Sequence, residues 1–562
     1  MIMTYVVIGL VIFLIFIFFL WCEYRNFKNY QKKLLDSAEK SFGTLNEKET
    51  PFYELQSCKA FFNRFKTIKS IDDITANDLE IDELFSKFNK ALSAPGKEYF
   101  YYRMRTGMEE ISEREDFERK VSFLQNDRES RRKLQSVFFE VGSLPKVSFF
   151  ECLDLYISME DKKPVKEYIT FFLPFIAFAS FFISSTAGIV LTIAAFIYNI
   201  LCYYKVRGEI EAYIICFVYI SNFIKVSRTL KKIDIEVLKE ELDEITERAD
   251  KMKAFEKFSS FISSRSKVLG AGNPLDIIFD YLSMVFHLDI LAFYKMLSFI
   301  KNKKDDIEDL YFRLGKLECY GVVASIRTSK PEYCVPTKGE GIEAVNVYHP
   351  LIDNPVKNSI SAKNGVLITG SNASGKSTFL KTVALNALFA DSLNTCFADS
   401  FSLEDFCVFS SMSLRDDLQH KDSYFMVEIK ALKRIFDFAK ENPDRKLLCF
   451  VDEVLRGTNT IERIASCTQI LKKINEINIL CFAATHDIEL TDLLNDSYDN
   501  YHFDEQIIDN DVLFSYKLKE GKATSKNAIS LLSIMGFDES IINNARTMAD
   551  NFTNNGVWEK IC

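Results

Sequence analysis

The chain has 562 residues and carries 70 Lys and Arg against 79 Asp and Glu, a formal net charge of −9 at pH 7. This acidic balance gives no general electrostatic attraction to nucleic acid. The chain contains 51 Phe but only 20 Gly and 11 Pro, which excludes a collagen-like chain and disfavours a β-protein built on many tight turns. We therefore expect long helices and, from the length, two to four domains. The 13 cysteines are scattered without a C-x-x-C pair, so we interpret them as reduced thiols in the cytosol.

The first 22 residues contain no charged side chain. A helix of this length can cross the hydrocarbon core of a bilayer, and the segment lacks the basic start and the small-residue cleavage site of a removed signal peptide. Four basic residues follow closely, namely Arg25, Lys28, Lys32 and Lys33. We predict a retained signal anchor over residues 1–22 in the cell (inner) membrane, with the N-terminus outside and the rest of the chain in the cytoplasm.

A second charge-free stretch runs from Ile169 to Tyr204. It is too long for one membrane span and just long enough for two short ones. The residues Ser184–Gly188 are the predicted turn, and basic residues on both flanks favour a hairpin whose two ends are cytosolic. A re-entrant hairpin that only dips into the bilayer, or an apolar helix pair of a soluble protein, are the alternatives.

Helical spacing of Phe, Leu and Tyr marks the regions on either side of this stretch. The charge-free run Ala212–Ile224 is short enough to be a buried helix rather than a span. The mixed charges from Lys225 to Lys267 predict one long solvated helix, and not a basic stripe for DNA.

A phosphate-binding loop is the strongest motif of the chain. A short apolar strand, GVLIT, leads into GSNASGKST, and a helix is predicted from Thr378 to Ala390. Gly370 and Gly375 allow backbone N–H groups to approach phosphates closely, and the helix N-terminus favours negative charge. Lys376 is predicted to reach the β- and γ-phosphates of ATP, and the Ser377 hydroxyl to ligate Mg²⁺.

Two further apolar runs read as buried parallel strands that end in polar residues. The run Lys446–Asp452 is followed by Glu453, and Ile479–Thr485 is followed by His486. Asp452 is predicted to hold Mg²⁺, Glu453 to orient or deprotonate the attacking water, and His486 to contact the γ-phosphate. An N-capping acidic pair and a structural histidine are the alternatives.

These motifs together resemble the ATPase domain of the MutS family of mismatch-repair proteins. The resemblance rests on four segments in order: GSNASGKST, SYFMVEIKALKRI from Ser423, DEVLRGTNT from Asp452, and ATHDIELTDL from Ala484. Residues 503–546 resemble the closing β-hairpin and helices of that family, and His349-Pro350 matches an HP pair upstream of the P-loop. The match covers residues 317–550, and residues 78–144 and 306–325 resemble parts of the family's helical core and lever.

The resemblance implies further site residues. Asn372 matches the family's P-loop asparagine, and Thr378 follows the motif serine. Ser423 matches the signature serine that reaches the nucleotide of the partner subunit, which implies a homodimer with two composite ATP sites. The transporter signature L-S-G-G-Q is absent from the sequence, which argues against a transport ATPase.

The chain also departs from the family pattern. Ser371 replaces a proline, Ala373-Ser374 replaces Met-Gly, and Leu455 replaces a glycine. The mismatch-reading N-terminal domain is expected to be missing. Phe52–Leu55 reads FYEL and mimics the F-x-E wedge that stacks on a mismatched base, but without its domain we interpret it as coincidence.

The predicted fold class is an α/β P-loop (ABC-type) ATPase domain preceded by an all-α core and lever region with transmembrane helices. The predicted boundaries are 1–22 (anchor), 23–168 (helical), 169–204 (transmembrane hairpin), 205–330 (helical lever) and 331–562 (ATPase). The predicted function is a membrane-anchored, MutS-like, Mg²⁺-dependent ATPase that switches a dimer and is linked to mismatched or branched DNA. The alternative is a membrane remodelling or signalling ATPase that uses the same switch without DNA.

Overall fold

The computed structural model describes residues 2–144, 146–160, 164–255, 281–371, 374–412, 424–455, 458–508, 511–523, 528–556 and 558. The chain forms two compact units. The helical unit comprises Met1–Lys66, Phe85–Arg103 and Ser112–Ser329, and the ATPase unit comprises Thr67–Leu84, Met104–Ile111 and Lys330–Cys562. The second unit therefore contains two segments from the region that the sequence assigned to helical residues 23–168.

The described residues up to Ser329 are mostly helical, as their spacing predicts. The helices are α1 Ile2–Ser41, α2 Phe52–Phe65, α3 Asp73–Asp78, α4 Ile81–Phe88, α5 Ala94–Arg105, α6 Ile111–Asn126, α7 Arg128–Val141, α8 Phe149–Ser158, α9 Val165–Ala179, α10 Ser185–Thr229, α11 Lys239–Lys251, α12 Leu288–Asn302 and α13 Lys304–Ser329. The predicted anchor at residues 1–22 lies in the first half of α1, and its insertion into a membrane stays a prediction.

The core of the helical unit is largely aromatic. Tyr311 of α13 stacks on Phe149 of α8 with ring centroids 4.2 Å apart, and Phe61 of α2 meets Phe150 edge-on at 5.5 Å. In the first half of α13 the buried positions Ile307, Leu310, Tyr311 and Leu314 follow helical spacing, so one face of this half enters the core. Nearly every residue in the second half is buried. Offset and edge-on ring pairs add to the stability from apolar burial, which accounts for much of the phenylalanine excess.

Two carboxyl groups are buried in the same unit. Glu98 accepts hydrogen bonds from the Ser57 hydroxyl at 2.6 Å and from the Tyr311 hydroxyl at 3.0 Å, and burial raises its pKa to about 8. Glu318 accepts from the backbone N–H of Leu92, just before α5, and burial raises its pKa to about 7. Burial disfavours the charged form of each group.

Helices α9 and α10 form the predicted apolar hairpin, but the predicted turn at Ser184–Gly188 is wrong by about four residues. The chain turns through a short 3-10 segment, Ser180–Phe182, and the Ser184 hydroxyl caps α10 by accepting from the N–H of Ala187. Serine is a strong N-cap, so the helix starts at Ser185. Phe182 and Ile183 at the tip are 89% and 90% exposed.

In the described part of the chain, two segments are long and apolar enough to cross a membrane, Val165–Phe182 and Ser185–Ile210. Hydrogen bonds and an ion pair join residues of α9 and α10 that lie away from the hairpin tip to residues at the start of α12. His287 is fully buried and contacts the Thr170 hydroxyl at 3.1 Å and the Asn199 carbonyl at 3.0 Å. Arg207 pairs with the buried Asp289 at 2.6 Å.

The prediction of one long solvated helix from Lys225 to Lys267 is wrong for its described part, and residues 256–267 lie outside the described residues. Helix α10 continues through the predicted buried run and ends at Thr229, and Ile233 and Ile235 are extended. Helix α11 then buries Leu242, Ile245 and Ala249. The break allows α11 to turn its apolar face onto α10 and α13.

The ATPase unit contains two sheets. Their strands are β1 Thr337–Lys338, β2 Ile342–Val347, β3 Asn358–Ala362, β4 Gly365–Thr369, β5 Ser400–Leu403, β6 Phe406–Ser411, β7 Lys446–Asp452, β8 Ile479–Thr485, β9 Tyr498–Ile508 and β10 Asp511–Glu520. The four-stranded sheet has the order β1-β5-β2-β3, and the six-stranded sheet has the order β10-β9-β4-β8-β7-β6. The six-stranded sheet is parallel except for β10, so the three strands predicted from apolar runs are confirmed as neighbours.

The helices of this unit are α14 Lys376–Ser392, α15 Tyr424–Glu441, α16 Thr460–Glu476, α17 Glu489–Leu493, α18 Ala528–Ile534 and α19 Glu539–Asn555. Helices α14, α15 and α16 pack on strands of the six-stranded sheet, whereas α18 and α19 pack on each other. Cys449 and Cys481 of the central strands share a buried cluster with Leu432 of α15 and Leu471 of α16. Successive strand residues point to opposite faces of the sheet. Helix α14 also contacts strands β7 and β8.

The segment that contains α3 belongs to the ATPase unit because it satisfies the edge strand β6. The Asp78 carboxylate accepts from the Ser410 hydroxyl at 2.6 Å and from the Met412 N–H at 2.9 Å, and the Thr75 hydroxyl accepts from the Ser410 N–H at 3.1 Å. Arg434 of α15 binds both the Ser410 carbonyl and Asp72. An uncovered edge strand would leave such backbone groups open to pairing with other chains.

Candidate functional site

The site lies where three adjacent parallel strands end. In the register of the sheet Thr369 of β4 pairs with Thr485 of β8, and Asp452 of β7 pairs with Ala484 of β8. The residues that follow β4, β7 and β8 therefore emerge side by side at one edge. They are the P-loop, Glu453 and His486, as the sequence predicted.

The P-loop connects β4 to α14. Gly370 has φ 147° and Gly375 has φ 104°, values that L side chains rarely adopt. A Cβ added to Gly370 would lie 2.9 Å from the Phe503 carbonyl oxygen of β9, so the loop needs glycine for space as well as for its backbone angle. Asn372 lies outside the described residues.

The Lys376 ammonium lies across the start of the loop. Its Nζ donates to the carbonyl oxygens of Gly370 at 2.7 Å and Ser371 at 2.8 Å, and the side chain is almost fully buried. Ser377 and Thr378 are exposed in the first turn of α14, where the helix leaves N–H groups without intrahelical partners. The loop thus presents N–H groups, an ammonium and a hydroxyl at one place, the chemistry that a phosphate chain and Mg²⁺ require.

Glu453 and His486 touch each other. Their Oε1 and Nε2 atoms are 2.5 Å apart, and the Glu453 N–H donates to the Ala484 carbonyl at 2.9 Å. Asp452 beside them is 8% exposed. The geometry therefore brings together the predicted base and the predicted γ-phosphate contact.

The chain after Glu453 is held in a strained backbone. Glu453 and Leu455 have φ 53° and 59°, the left-handed region that disfavours residues with a Cβ. The Leu455 N–H donates to the Glu428 carboxylate of α15, and the Leu455 side chain is buried in the core cluster. The left-handed φ explains why a glycine suits this position, and packing holds the leucine here.

Glu428 is a positioning residue that the sequence reasoning missed. It belongs to the SYFMVE motif, in which only Ser423 was singled out, and Ser423 itself lies outside the described residues. The exposed fraction of Glu428 is 3%. The acid that ends the apolar run YFMV directly after Ser423 is the signal that could have found it.

Tyr516 is a second residue that sequence reasoning missed. It has φ 52° at a shift in the β9–β10 register, and Asn358 of β3 holds this bulge by donating to the Tyr516 carbonyl at 3.0 Å and accepting from the Leu518 N–H at 2.9 Å. A Cβ added to Gly375 would lie 3.1 Å from the Tyr516 ring. A 45%-exposed aromatic ring therefore lies beside the P-loop.

Two polar side-chain pairs hold residues at the edge of the site in place. The Ser371 hydroxyl donates to Glu505 of β9, so the serine that replaces the family's proline ties the P-loop to the next strand. Arg463 of α16 binds Asp487 through two hydrogen bonds of 2.9 and 2.6 Å. Paired guanidinium and carboxylate groups fix orientation as well as distance, and here they hold the residue after His486.

No group of three His, Cys, Asp or Glu side chains that could hold a metal ion occurs in the described part of the chain. Ser377 and Asp452 supply hard oxygen donors, which fit Mg²⁺ when substrate phosphates and water complete its shell. The residues present therefore fit a magnesium ion that arrives with a nucleotide.

Comparison with known families matches residues 366–553 to MutS domain V. The chain is 34% identical over 226 residues to the DNA mismatch repair protein MutS of Pseudothermotoga lettingae, covering 38% of this chain and 27% of the relative. It is 30% identical over 274 residues to the protein of the same name from Lactobacillus acidophilus, covering 46% and 31%. It is 29% identical over 241 residues to human MutS protein homolog 4, covering 40% and 25%.

The chain thus spans about a quarter to a third of the length of these curated relatives. The matched region contains all three strand ends of the site, so the resemblance seen in the motifs is confirmed for the ATPase unit. Domain V is the ATPase domain of its family, and this chain carries it with the P-loop, Asp452, Glu453 and His486 in place. The similarity to the MutS family is thus shown for this domain, over residues 366–553.

Proposed function

We propose that the protein binds ATP with Mg²⁺ at the P-loop and hydrolyses it to ADP and phosphate to switch a homodimer. The single observation that carries the proposal is the meeting of the three strand ends, where Glu453 and His486 are 2.5 Å apart beside the loop that holds Lys376. A general base, a phosphate contact and an ammonium at one sheet edge are the parts that phosphoryl transfer to water requires.

Each residue has a distinct role in this proposal. Lys376 donates hydrogen bonds to two loop carbonyls, and its positive charge attracts the β- and γ-phosphates. Ser377 and Asp452 hold Mg²⁺, which neutralises phosphate charge when it is bound. Glu453 orients the attacking water and accepts its proton.

His486 couples phosphate binding to the base. In the structure its Nε2 faces the Glu453 carboxylate. A γ-phosphate oxygen competes for this nitrogen, which releases the Glu453 oxygen for water. The base is thereby engaged fully only when a triphosphate is present.

Substitutions at the site test hydrolysis. Lys376→Ala should abolish nucleotide binding, whereas Glu453→Ala should bind ATP but not turn it over and so trap the ATP-bound dimer. Glu489→Ala, an exposed acid just after β8, is the matched control and should keep normal turnover. Normal ATP turnover in purified Glu453→Ala would refute the assignment of Glu453 as the general base.

Tyr516 is proposed to stack on the adenine base. Its exposed ring next to Gly375 offers a flat apolar face, and stacking of a base on an aromatic ring contributes about 1–3 kcal/mol.

Ser423 is proposed to complete the nucleotide site of the partner subunit, as the motif resemblance implies. Sedimentation of the Glu453→Ala variant with ATP should show a dimer, and a monomer at saturating ATP would refute that step.

The dimer switch is proposed to act on DNA, either mismatched or branched. The relatives named DNA mismatch repair protein MutS support this choice. A gel shift with homoduplex, mismatched and four-way-junction DNA over a salt series tests it. Affinity that falls steeply with salt is expected, and no binding with or without ATP would exclude DNA as the target.

A second candidate is membrane remodelling or signalling without DNA. The net charge of −9 and the exposed apolar hairpin favour it. We propose that α9 and α10 insert into the cell (inner) membrane, because the Val165–Phe182 and Ser185–Ile210 segments suit spanning and the tip residues Phe182 and Ile183 expose apolar surface. With the anchor in α1, this gives a multi-pass protein whose ATPase unit is cytoplasmic.

Labelling of a Ser185→Cys variant in whole cells tests the hairpin. Reaction with a membrane-impermeant maleimide from outside is expected if the hairpin crosses the bilayer. Protection until detergent is added indicates that the turn stays inside the bilayer. Release of the protein from membranes by salt alone would refute insertion.

A further inference from the structure

We propose that Cys334 and Cys396 form a redox-active dithiol, which a small-molecule disulfide such as oxidised glutathione converts into a cross-strand disulfide. The pair lies away from the nucleotide site. Cys334 belongs to the connector, residues 330–336, between α13 and β1. Cys396 follows the P-loop helix α14.

The backbone places the two residues at disulfide distance. They form an isolated antiparallel bridge, in which each N–H donates to the carbonyl of the other residue, at 2.8 and 2.9 Å. A pair that exchanges both hydrogen bonds has Cα atoms about 5.5 Å apart, within the range that disulfides adopt. The bond can therefore form without moving the backbone far.

The two thiols differ in the way that an attacking and a resolving cysteine differ. Cys334 is half-buried and so within reach of a small oxidant, whereas Cys396 is fully buried. A hydrogen bond from the Cys396 thiol lowers the pKa of the Cys334 thiol, and the thiolate is the nucleophile in disulfide exchange.

The reaction is balanced as two exchanges. The Cys334 thiolate attacks one sulfur of oxidised glutathione and releases one glutathione thiolate. Cys396 then loses its proton, and its sulfur displaces the second glutathione from Cys334. Two protein thiols and one oxidised glutathione become one protein disulfide and two reduced glutathiones.

The disulfide would fasten the connector to the P-loop helix. The Phe397 N–H, next to Cys396, donates to the Asn386 side chain of α14 at 2.6 Å, and the Cys396 Sγ lies 3.4 Å from the Asn386 carbonyl oxygen. Cys396 is thus already tied to α14, and only Cys334 gains a new attachment. Oxidation should therefore protect the amides of the connector from hydrogen exchange.

Other cysteine pairs provide comparisons. Cys449 and Cys481 are neighbours on β7 and β8 but both are fully buried, so an oxidant cannot reach either. Cys152 of α8 hydrogen-bonds to Cys216 of α10, but the two residues lie on separate helices and lack the paired backbone hydrogen bonds that join Cys334 and Cys396. We therefore expect a small disulfide to link Cys334 and Cys396 before it links either of the other two pairs.

The test is peptide mapping of the full-length folded protein after titration with oxidised glutathione. The Cys334–Cys396 linkage is expected at the lowest oxidant ratio, and dithiothreitol should reverse it. Cys396→Ser should accumulate glutathione on Cys334, whereas Cys334→Ser should leave Cys396 unmodified. Cys449→Ser should behave as the wild-type protein does.

Three outcomes would overturn the proposal. They are a glutathione adduct on Cys334 that persists in the wild type, a linkage that forms only after denaturation, and a Cys152–Cys216 linkage at an equal or lower oxidant ratio. A second measurement needs no variant. Iodoacetamide should alkylate Cys334 of the folded wild type at least tenfold faster than Cys396, and equal rates would contradict the assigned roles.

Discussion

Asp78→Ala should loosen the edge of the ATPase sheet although Asp78 lies more than 300 residues from β6 in the chain. The carboxylate is 1% exposed and accepts from the Ser410 hydroxyl at 2.6 Å and the Met412 N–H at 2.9 Å. Hydrogen bonds to charged groups contribute about 1.5–3 kcal/mol each. Loss of both should therefore cost about 3–6 kcal/mol of local stability.

Hydrogen exchange of the full-length protein measures this effect. Because about 1.4 kcal/mol corresponds to a factor of ten, protection of the β6 amides should fall roughly 100- to 20,000-fold in Asp78→Ala. Ser410→Ala removes one of the two bonds and should show a smaller fall. Glu83→Ala, an exposed acid of α4, should leave protection within a factor of about three, as surface substitutions usually do.

A specific result would refute the reasoning. If Asp78→Ala changed β6 protection by less than tenfold, the α3 segment would not stabilise the edge strand. If Glu83→Ala matched Asp78→Ala, general perturbation of the segment would explain the loss. Either outcome would also weaken the assignment of residues 67–84 to the ATPase unit.

Three further predictions concern charge and chemistry. The pKa of Glu98 is raised to about 8 from 4.5, so the folded chain keeps a proton that the unfolded chain releases, and the free energy of unfolding should fall by on the order of 5 kcal/mol between pH 4.5 and pH 8. Glu98→Gln should remove this part of the fall in a pH series of denaturant unfolding, and an unchanged slope would contradict the burial argument. Glu453→Gln should lower ATP turnover at least 100-fold with little change in ATP affinity, measured by phosphate release and nucleotide binding. Tyr516→Ala should weaken ATP binding roughly 5- to 100-fold, whereas Tyr516→Phe should bind normally, and equal losses in both variants would argue against stacking.

Much of the candidate site could be predicted because its signals are local. The apolar runs that become β4, β7 and β8 each end at the residue that carries chemistry. A P-loop needs its glycines and a following helix, and both can be recognised in one continuous stretch of sequence. Parallel strands then bring their carboxyl ends to one edge, which is a general property of α/β sheets.

The positioning residues were not predictable in the same way. Glu428 meets the Leu455 N–H, and Tyr516 meets Gly375, from elements that are not adjacent in the chain. Helical spacing also failed at Ile233–Ile235, where the chain is extended so that α11 can bury its apolar face. Packing overrode a pattern of charges that suits a continuous helix.

The sequence by itself determined the chemical groups of the protein: a P-loop, an acidic strand end, a histidine strand end and a charge-free hairpin. Backbone preferences and apolar periodicity act over a few residues, so these features can be read in order along the chain. The tertiary structure decided which distant residues complete them. Asp78 covers β6, Tyr516 lies at the P-loop, and Cys334 pairs with Cys396, because such contacts depend on how strands and helices pack and not on the residues beside them in sequence.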